Sequence, residues 1–241
     1  MKGVIRGLII GGVIIAVGIA IILITLGVNG WSIENMKFTA NTFTAESNCT
    51  SLEAGIDAGT LKTEFYDGDK VIIDYPTADG LEARVIEENG KIIFVSDLKW
   101  YKSFFSFRRI PDTVIKLPKG AIIDVSFKMN AGTIELADGT YTNVNIDINA
   151  GTFNANSISC DTFVCDMSAG TMLVNRLTCA KTKIDMSAGT VKLSMSGEQN
   201  EYAIYTKVSA GSCNVSSQPG ETDKRIDIDI SAGTAKINFG A

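Results

Sequence analysis

Residues 128–171 read KMNAGTIELADGTYTNVNIDINAGTFNANSISCDTFVCDMSAGT, a passage that carries Ala-Gly-Thr three times, at Gly132, Gly151 and Gly170. Gly189, Gly211 and Gly233 follow in MSAGT, VSAGS and ISAGT, so the six glycines are spaced 19, 19, 19, 22 and 22 residues apart. A more divergent copy upstream, IDAGT, places Gly59 in the same setting. Recurrence at such a fixed period marks an architecture of stacked repeats.

Reading outward from each glycine separates inward from outward positions. Three residues before it come Met129, Ile148, Met167, Met186, Val208 and Ile230, and two after it come Ile134, Phe153, Met172, Val191, Cys213 and Ala235. These columns alternate with polar ones, so each copy predicts two short strands, apolar on one face, that meet at a turn. Ile158 with Leu177, and Cys160 with Cys179, supply a third inward face. Three faces close a coil, and stacked coils bury a core that no single coil could. In the turn, glycine tolerates the positive φ of a sharp corner, and alanine before it is small enough to stack closely. Asn130, Asn149, Ser168, Ser187, Ser209 and Ser231 form a polar column two residues before the glycine. Short polar side chains there can bond turn backbone.

The expected fold is therefore all-β: a parallel β-helix, or solenoid, of stacked 19–22-residue coils over residues 129–241. At about 4.8 Å per strand, six coils make a rod roughly 25–30 Å long. Residues 46–128 are less regular, with LEAGIDAGTLKTEF as an opening coil and a hairpin turn at Asn89-Gly90. Residues 29–45 are polar and read as a short stalk.

Residues 7–28, GLIIGGVIIAVGIAIILITLGV, predict one N-terminal transmembrane helix. A helix of that length rises about 33 Å, enough to cross a bilayer's hydrocarbon core. Lys2 and Arg6 precede it and Trp31 follows, which puts residues 1–6 in the cytoplasm and the rest outside the cell membrane. The alternative is a signal peptide cleaved near Val28-Asn29-Gly30, but the apolar run exceeds the roughly 15 residues usual there. Gly7 and Gly11 form a G-x-x-x-G pair through which two such helices could pack as a homo-oligomer. Glycine is also simply frequent in membrane helices.

Composition excludes several functions. The chain has 241 residues, net charge −5 and no histidine. The charge is of the wrong sign for nucleic acid. Without histidine, Ser-His-Asp and Cys-His catalysis and histidine-bound metals are ruled out. Nothing in the motifs points to a cofactor.

The LEAGIDAGTLK strand, the VIKLPKGAIIDVSFKMNAGTIEL passage and the later series IDINAGTF, CDMSAGTM, IDMSAGTV and IDISAGTA resemble the bacterial "putative adhesin" family. This is a domain-of-unknown-function family of β-strand-repeat proteins, and the resemblance spans roughly residues 46–241. It implies a β-solenoid of the cell envelope, often behind an N-terminal membrane segment, with no catalytic residues to carry over. Two roles are expected: a non-catalytic surface binding or structural module that meets a protein or glycan outside the cell, or a regulatory, stress-sensing envelope protein acting through a membrane partner. Residues 1–6 are too short to signal alone, so the second role needs that partner.

Three features outside the turns carry candidate chemistry. Asp147, Asp166 and Asp185 lie four residues before successive glycines, on an outward phase, with Lys128 and Lys207 in the same column. They read as a solvated face, against the alternatives of a weak calcium ladder or a carboxylate pair for acid–base work. Of Cys49, Cys160, Cys165, Cys179 and Cys213, the odd count fits no complete disulfide framework, and structural thiols are preferred over a Cys160–Cys179 bridge. The segment from Trp100 to Ile110, with Tyr101, Phe104, Phe105 and Phe107, reads as a cap on an open solenoid end or as a binding patch.

Overall fold

A computed structural model describes residues 37–99 and 109–240. The predicted membrane segment, with Gly7 and Gly11, lies outside the described residues, as do Trp100, Tyr101, Phe104, Phe105 and Phe107. Among the described residues no helix is long and apolar enough to cross a membrane, and strands supply almost all regular structure.

Seven coils share one ladder. The strands are β2 (Ser51–Tyr66), β7 (Asp124–Leu136), β9 (Asn143–Met195), β10 (Ala203–Cys213) and β11 (Arg225–Phe239). β9 winds through three coils by itself. Parallel pairing runs unbroken through each corner: Ala58, Gly59 and Thr60 face Ala131, Gly132 and Thr133, which face Ala150, Gly151 and Thr152. The apolar columns turn inward, where Phe127, Ile146, Phe153, Phe163, Met172 and Leu193 are essentially inaccessible. Burial of each such side chain contributes about 1.5–3 kcal/mol. The third inward face is also occupied, with Ile158 and Leu177 buried beside Cys160 and Cys179.

The corner needs glycine for two reasons at once. Gly132, Gly151, Gly170 and Gly189 have φ between 142° and 155°, a region open to glycine alone. A Cβ at Gly170 would also stand 1.8 Å from the carbonyl oxygen of Gly151, and the same contact recurs at 1.7–2.1 Å from Gly132 to Gly211 and Gly233. Backbone therefore rests directly on backbone.

The order of the last two coils departs from chain order. Gly233 stacks on Gly189, and Gly211 stacks on Gly233. β11 is thus inserted between β9 and β10. Its length explains the choice, since it pairs with β9 from Arg225↔Lys181 to Phe239↔Met195, along both limbs of the coil. Its inward Ile226, Ile228, Ile230, Ala235 and Ile237 are all buried. β10 is shorter and carries Thr206 at an inward position, so it suits the end of the stack. Its free edge is partly covered by residues 217–218: Thr206 N donates to Ser217 Oγ at 2.9 Å, and Ile204 bridges Gln218. A 3-10 turn, Gln199–Glu201, and Gly197 at φ 86° carry the chain across the gap.

The other end is closed by the chain between β2 and β7. β5 (Lys91–Leu98) pairs in parallel with the first limb of β2, and β6 (Thr113–Pro118) with the second. β4 (Leu81–Glu88) folds back on β5 through a turn in which Asn89 and Gly90 have φ of 52° and 75°. β3 (Ile72–Thr77) lies antiparallel on β6, and β1 (Thr39–Thr44) antiparallel on β3. β1 falls within the segment read as a stalk. It is polar because it is an outer strand, and Thr42 Oγ1 donates to Asp74 at 2.6 Å. A two-residue strand, β8 (Gly139–Thr140), pairs with β9 on the third limb.

Two carboxylates tie this region together. Lys116, 2.9 Å away, and the Thr42 hydroxyl hold Asp74 below the usual carboxylate range. Glu87 is drawn down by the Ser47 hydroxyl and by the backbone N–H groups of Glu46 and Ser47.

Both depressed values stabilise the fold above the unfolded carboxylate pKa, and that contribution is lost as pH falls through the folded one. The melting temperature of the full chain in detergent should therefore drop as the solution is acidified below about pH 4.5. Glu87→Gln should lower it at pH 7 and flatten the acid limb. Gly170→Val should destabilise by about 2–4 kcal/mol, from strain and lost stacking. Gly55→Ala, where an added Cβ meets nothing within 4 Å, should change stability by no more than about 0.5 kcal/mol. Equal melting temperatures for the two variants would refute the glycine corner.

Candidate functional site

The first limb of every coil contributes to one outward face, and the glycine register decides what stands beside what. Four residues before the corner, the column runs Gly55, Lys128, Asp147, Asp166, Asp185, Asp229 and Lys207 in stacking order. The three aspartates singled out from the sequence do lie in one line. Asp229 joins them between Asp185 and Lys207. Its signal was present, since it too stands four residues before a glycine, but chain order hid its neighbour.

Charge in this face is balanced mainly towards the β10 end. Lys183 Nζ is 2.6 Å from Asp185, and Lys207 Nζ is 2.7 Å from Asp229. Arg225 grips Asp227 through Nε and Nη2 at 2.7 and 2.8 Å, and its guanidinium lies 4.3 Å from the Tyr205 ring centre. Adjacent aspartates about 4.8 Å apart in water repel by about 1 kcal/mol, which the stacked backbone tolerates.

Beside this column a polar ladder follows the corner. Asn149 Nδ2 donates to Asn130 Oδ1 at 2.7 Å, and Asn130 Nδ2 donates to Asp57 Oδ1 at 2.6 Å. Asp57 also accepts from Leu98 N at 2.7 Å, which pins β5 to the first coil. On the second limb Asn175 donates to Asn156, and Asn156 to Asp138, at 3.1 and 2.8 Å. Amides that bond their own neighbours brace the stack and leave their remaining polar atoms outward. A hollow of 410 Å³ opens near β8, lined by Phe65, Ala121, Ile122 and Gly139, with Ile122 63% exposed.

The family model of Toastrack DUF4097 matches residues 55–239. The chain belongs to the Toastrack family. The match begins in β2 and ends at the last residue of β11, so it takes in the reversed end of the stack. A crystal structure of a "putative cell adhesion protein" from Clostridium sporogenes is similar, with 16% identity and a TM-score of 0.47, over 84% of this chain and 99% of that one. A "putative adhesin" from Bacteroides fragilis shows 12% identity and a TM-score of 0.40, over 83% and 97% of the respective chains. No curated protein sequence matches.

The Toastrack face gives a metal little to hold. Among the described residues no group of three or more His, Cys, Asp or Glu side chains is placed to bind an ion. Aspartates in a straight line each offer oxygen from one side, whereas calcium takes six to eight oxygens around it. Millimolar calcium should accordingly leave the melting temperature of wild type unchanged, and Asp166→Asn should respond no differently. Stabilisation of wild type by micromolar calcium, absent in the variant, would reinstate a calcium ladder.

Proposed function

We propose that this Toastrack protein is a non-catalytic surface module, anchored in the cell membrane by residues 7–28, that presents the outward face of its stack to a protein or glycan ligand outside the cell. The observation that carries the reading is the glycine register. It holds outward side chains in straight columns at strand spacing, and in-line columns suit a ligand that is itself extended and repetitive. Rigid backbone also spares a binding surface the entropy of ordering loops. The lack of histidine throughout the sequence supports a role other than acid–base catalysis. Lys2 and Arg6 ahead of the apolar run support an outside placement.

A second reading is a regulatory envelope protein that works through a membrane partner. Its support is the small-residue pair Gly7 and Gly11 within the apolar segment. Photo-crosslinking side chains placed at Asn145, on the outward face, and at Leu8, in the apolar segment, separate the two. Capture of an extracytoplasmic component from Asn145 is expected. Capture from Leu8 alone would favour the regulatory role.

Orientation has its own test. Protease added outside intact spheroplasts should remove an epitope placed after Ala241, and lysis should not be required. Full protection of that epitope until lysis would overturn the extracytoplasmic placement.

A further inference from the structure

The third limb carries a pair of sulfurs that the outward face does not use. Thr140 pairs with Ser159 on this limb, and Cys160 and Cys179 follow on neighbouring coils. Their Sγ atoms are 3.6 Å apart, and the side chains are only 8% and 5% exposed. Strands about 4.8 Å apart fall within the roughly 4.4–6.8 Å Cα separation that a disulfide spans. Closing the bond therefore asks for side-chain rotation and not for backbone movement.

A second observation singles out the same place. The inward column seven residues before each glycine is apolar on both sides of Thr182, with Val144 and Phe163 below it and Ile226 above. Thr182 is buried, and its hydroxyl has no hydrogen-bond partner among the described residues. It stands three residues after Cys179 in the chain. A hydroxyl in a packed apolar column is unfavourable unless it serves a polar neighbour.

We propose that Cys160 and Cys179 are a redox site, closed to an intramolecular disulfide by exchange with an external disulfide, which staples two adjacent coils of β9. One of the two, as its thiolate, attacks one sulfur of the oxidant, expels one thiolate and is left in a mixed disulfide. The other then loses its proton, and its sulfur attacks the first protein sulfur and expels the second thiolate. Two protein thiols become one disulfide, the oxidant's disulfide becomes two thiols, and the two protons pass to them.

In the closed stack the two thiols differ: the hydrogen bond from Cys160 draws the Cys179 thiol down, while that same bond, together with burial, pushes Cys160 up. Cys165 is pushed up to about 12 by burial and stays an inert core group. Because both sulfurs are buried, exchange proceeds while the limb is open, during folding or transient opening, and the closed stack then shields the bond.

Trypsin provides a clean assay. Cleavage after Lys128, Arg176 and Lys181 leaves Cys179 in Leu177–Lys181, and Cys160 in Met129–Arg176 together with Cys165. The full chain in detergent is equilibrated with oxidised and reduced glutathione at increasing ratios, and a parallel sample is refolded from denaturant in the same buffers. Both are quenched in acid, alkylated and digested. The two peptides should become joined as the buffer grows more oxidising. The joined species should persist in Cys165→Ala, vanish in Cys160→Ala, and accompany a rise in melting temperature that Cys160→Ala does not show. Complete alkylation of Cys160 and Cys179 in both samples at the most oxidising ratio, or a link formed through Cys165, would overturn the proposal. Acid trapping of whole cells adds a separate readout, because only the in-cell state depends on the extracytoplasmic placement proposed above. A pair that closes in glutathione but is reduced in cells overturns that placement and leaves the redox site standing.

Discussion

At the corner of every coil the carbonyl oxygen of one glycine occupies the space where the next glycine's side chain would be. The contact has no slack: the seven corner glycines from Gly59 to Gly211 have φ between 115° and 155°, and from Gly132 onward a Cβ would overlap backbone by more than an ångström. Coils can then stack only with glycine on glycine, because any slip would set alanine or threonine, each with a Cβ, against that oxygen. Register follows from this single contact, and all the columns follow from register. Isoleucines fall on isoleucines inside, asparagines bond asparagines at the corner, and aspartates are forced to line up outside. The repulsion among those aspartates is a consequence of the stacking.

A stack held in this way has two open ends, and the chain treats them differently. At the β2 end a long excursion between Tyr66 and Asp124 returns to lay β5 along one limb of β2 and β6 along the other. At the far end the protein covers the last complete coil of β9 with β11, whose inward positions are isoleucine and alanine, and leaves the shorter β10, with Thr206 at an inward position, outermost. Lys207 and the Ser217 hydrogen bond on that strand blunt an edge that would otherwise invite further strands.

Function in such a protein is to be sought on surfaces that the repeat leaves free to vary. The outward face combines ion pairs, an arginine on a tyrosine and an acidic run, all mounted on backbone that cannot rearrange. The third limb adds chemistry of another kind, two sulfurs 3.6 Å apart within a core that is otherwise almost entirely hydrocarbon. Membership of the Toastrack family is secure and assigns no reaction, so the side chains on these limbs carry the argument.

The repeat, its period, its inward columns and the need for glycine at the corner were legible in the sequence, because they are local. Alternation with period two and a small residue at a fixed phase mark the strand and its bend whatever the neighbours are. The hairpin at Asn89-Gly90 was legible for the same reason. Which coil sits beside which was not, since all copies present the same glycine edge and so fit one another in any order. Only the tertiary structure decided that β11 lies inside β10, where its length and its isoleucines bury more surface. The same decision set Asp229 between Asp185 and Lys207. It likewise took the folded stack to reveal the strand Thr39–Thr44, whose polar sequence marks an outer position, and to bury the Thr182 hydroxyl without a hydrogen-bond partner. A hydroxyl in the chain has no special meaning until burial takes it out of water.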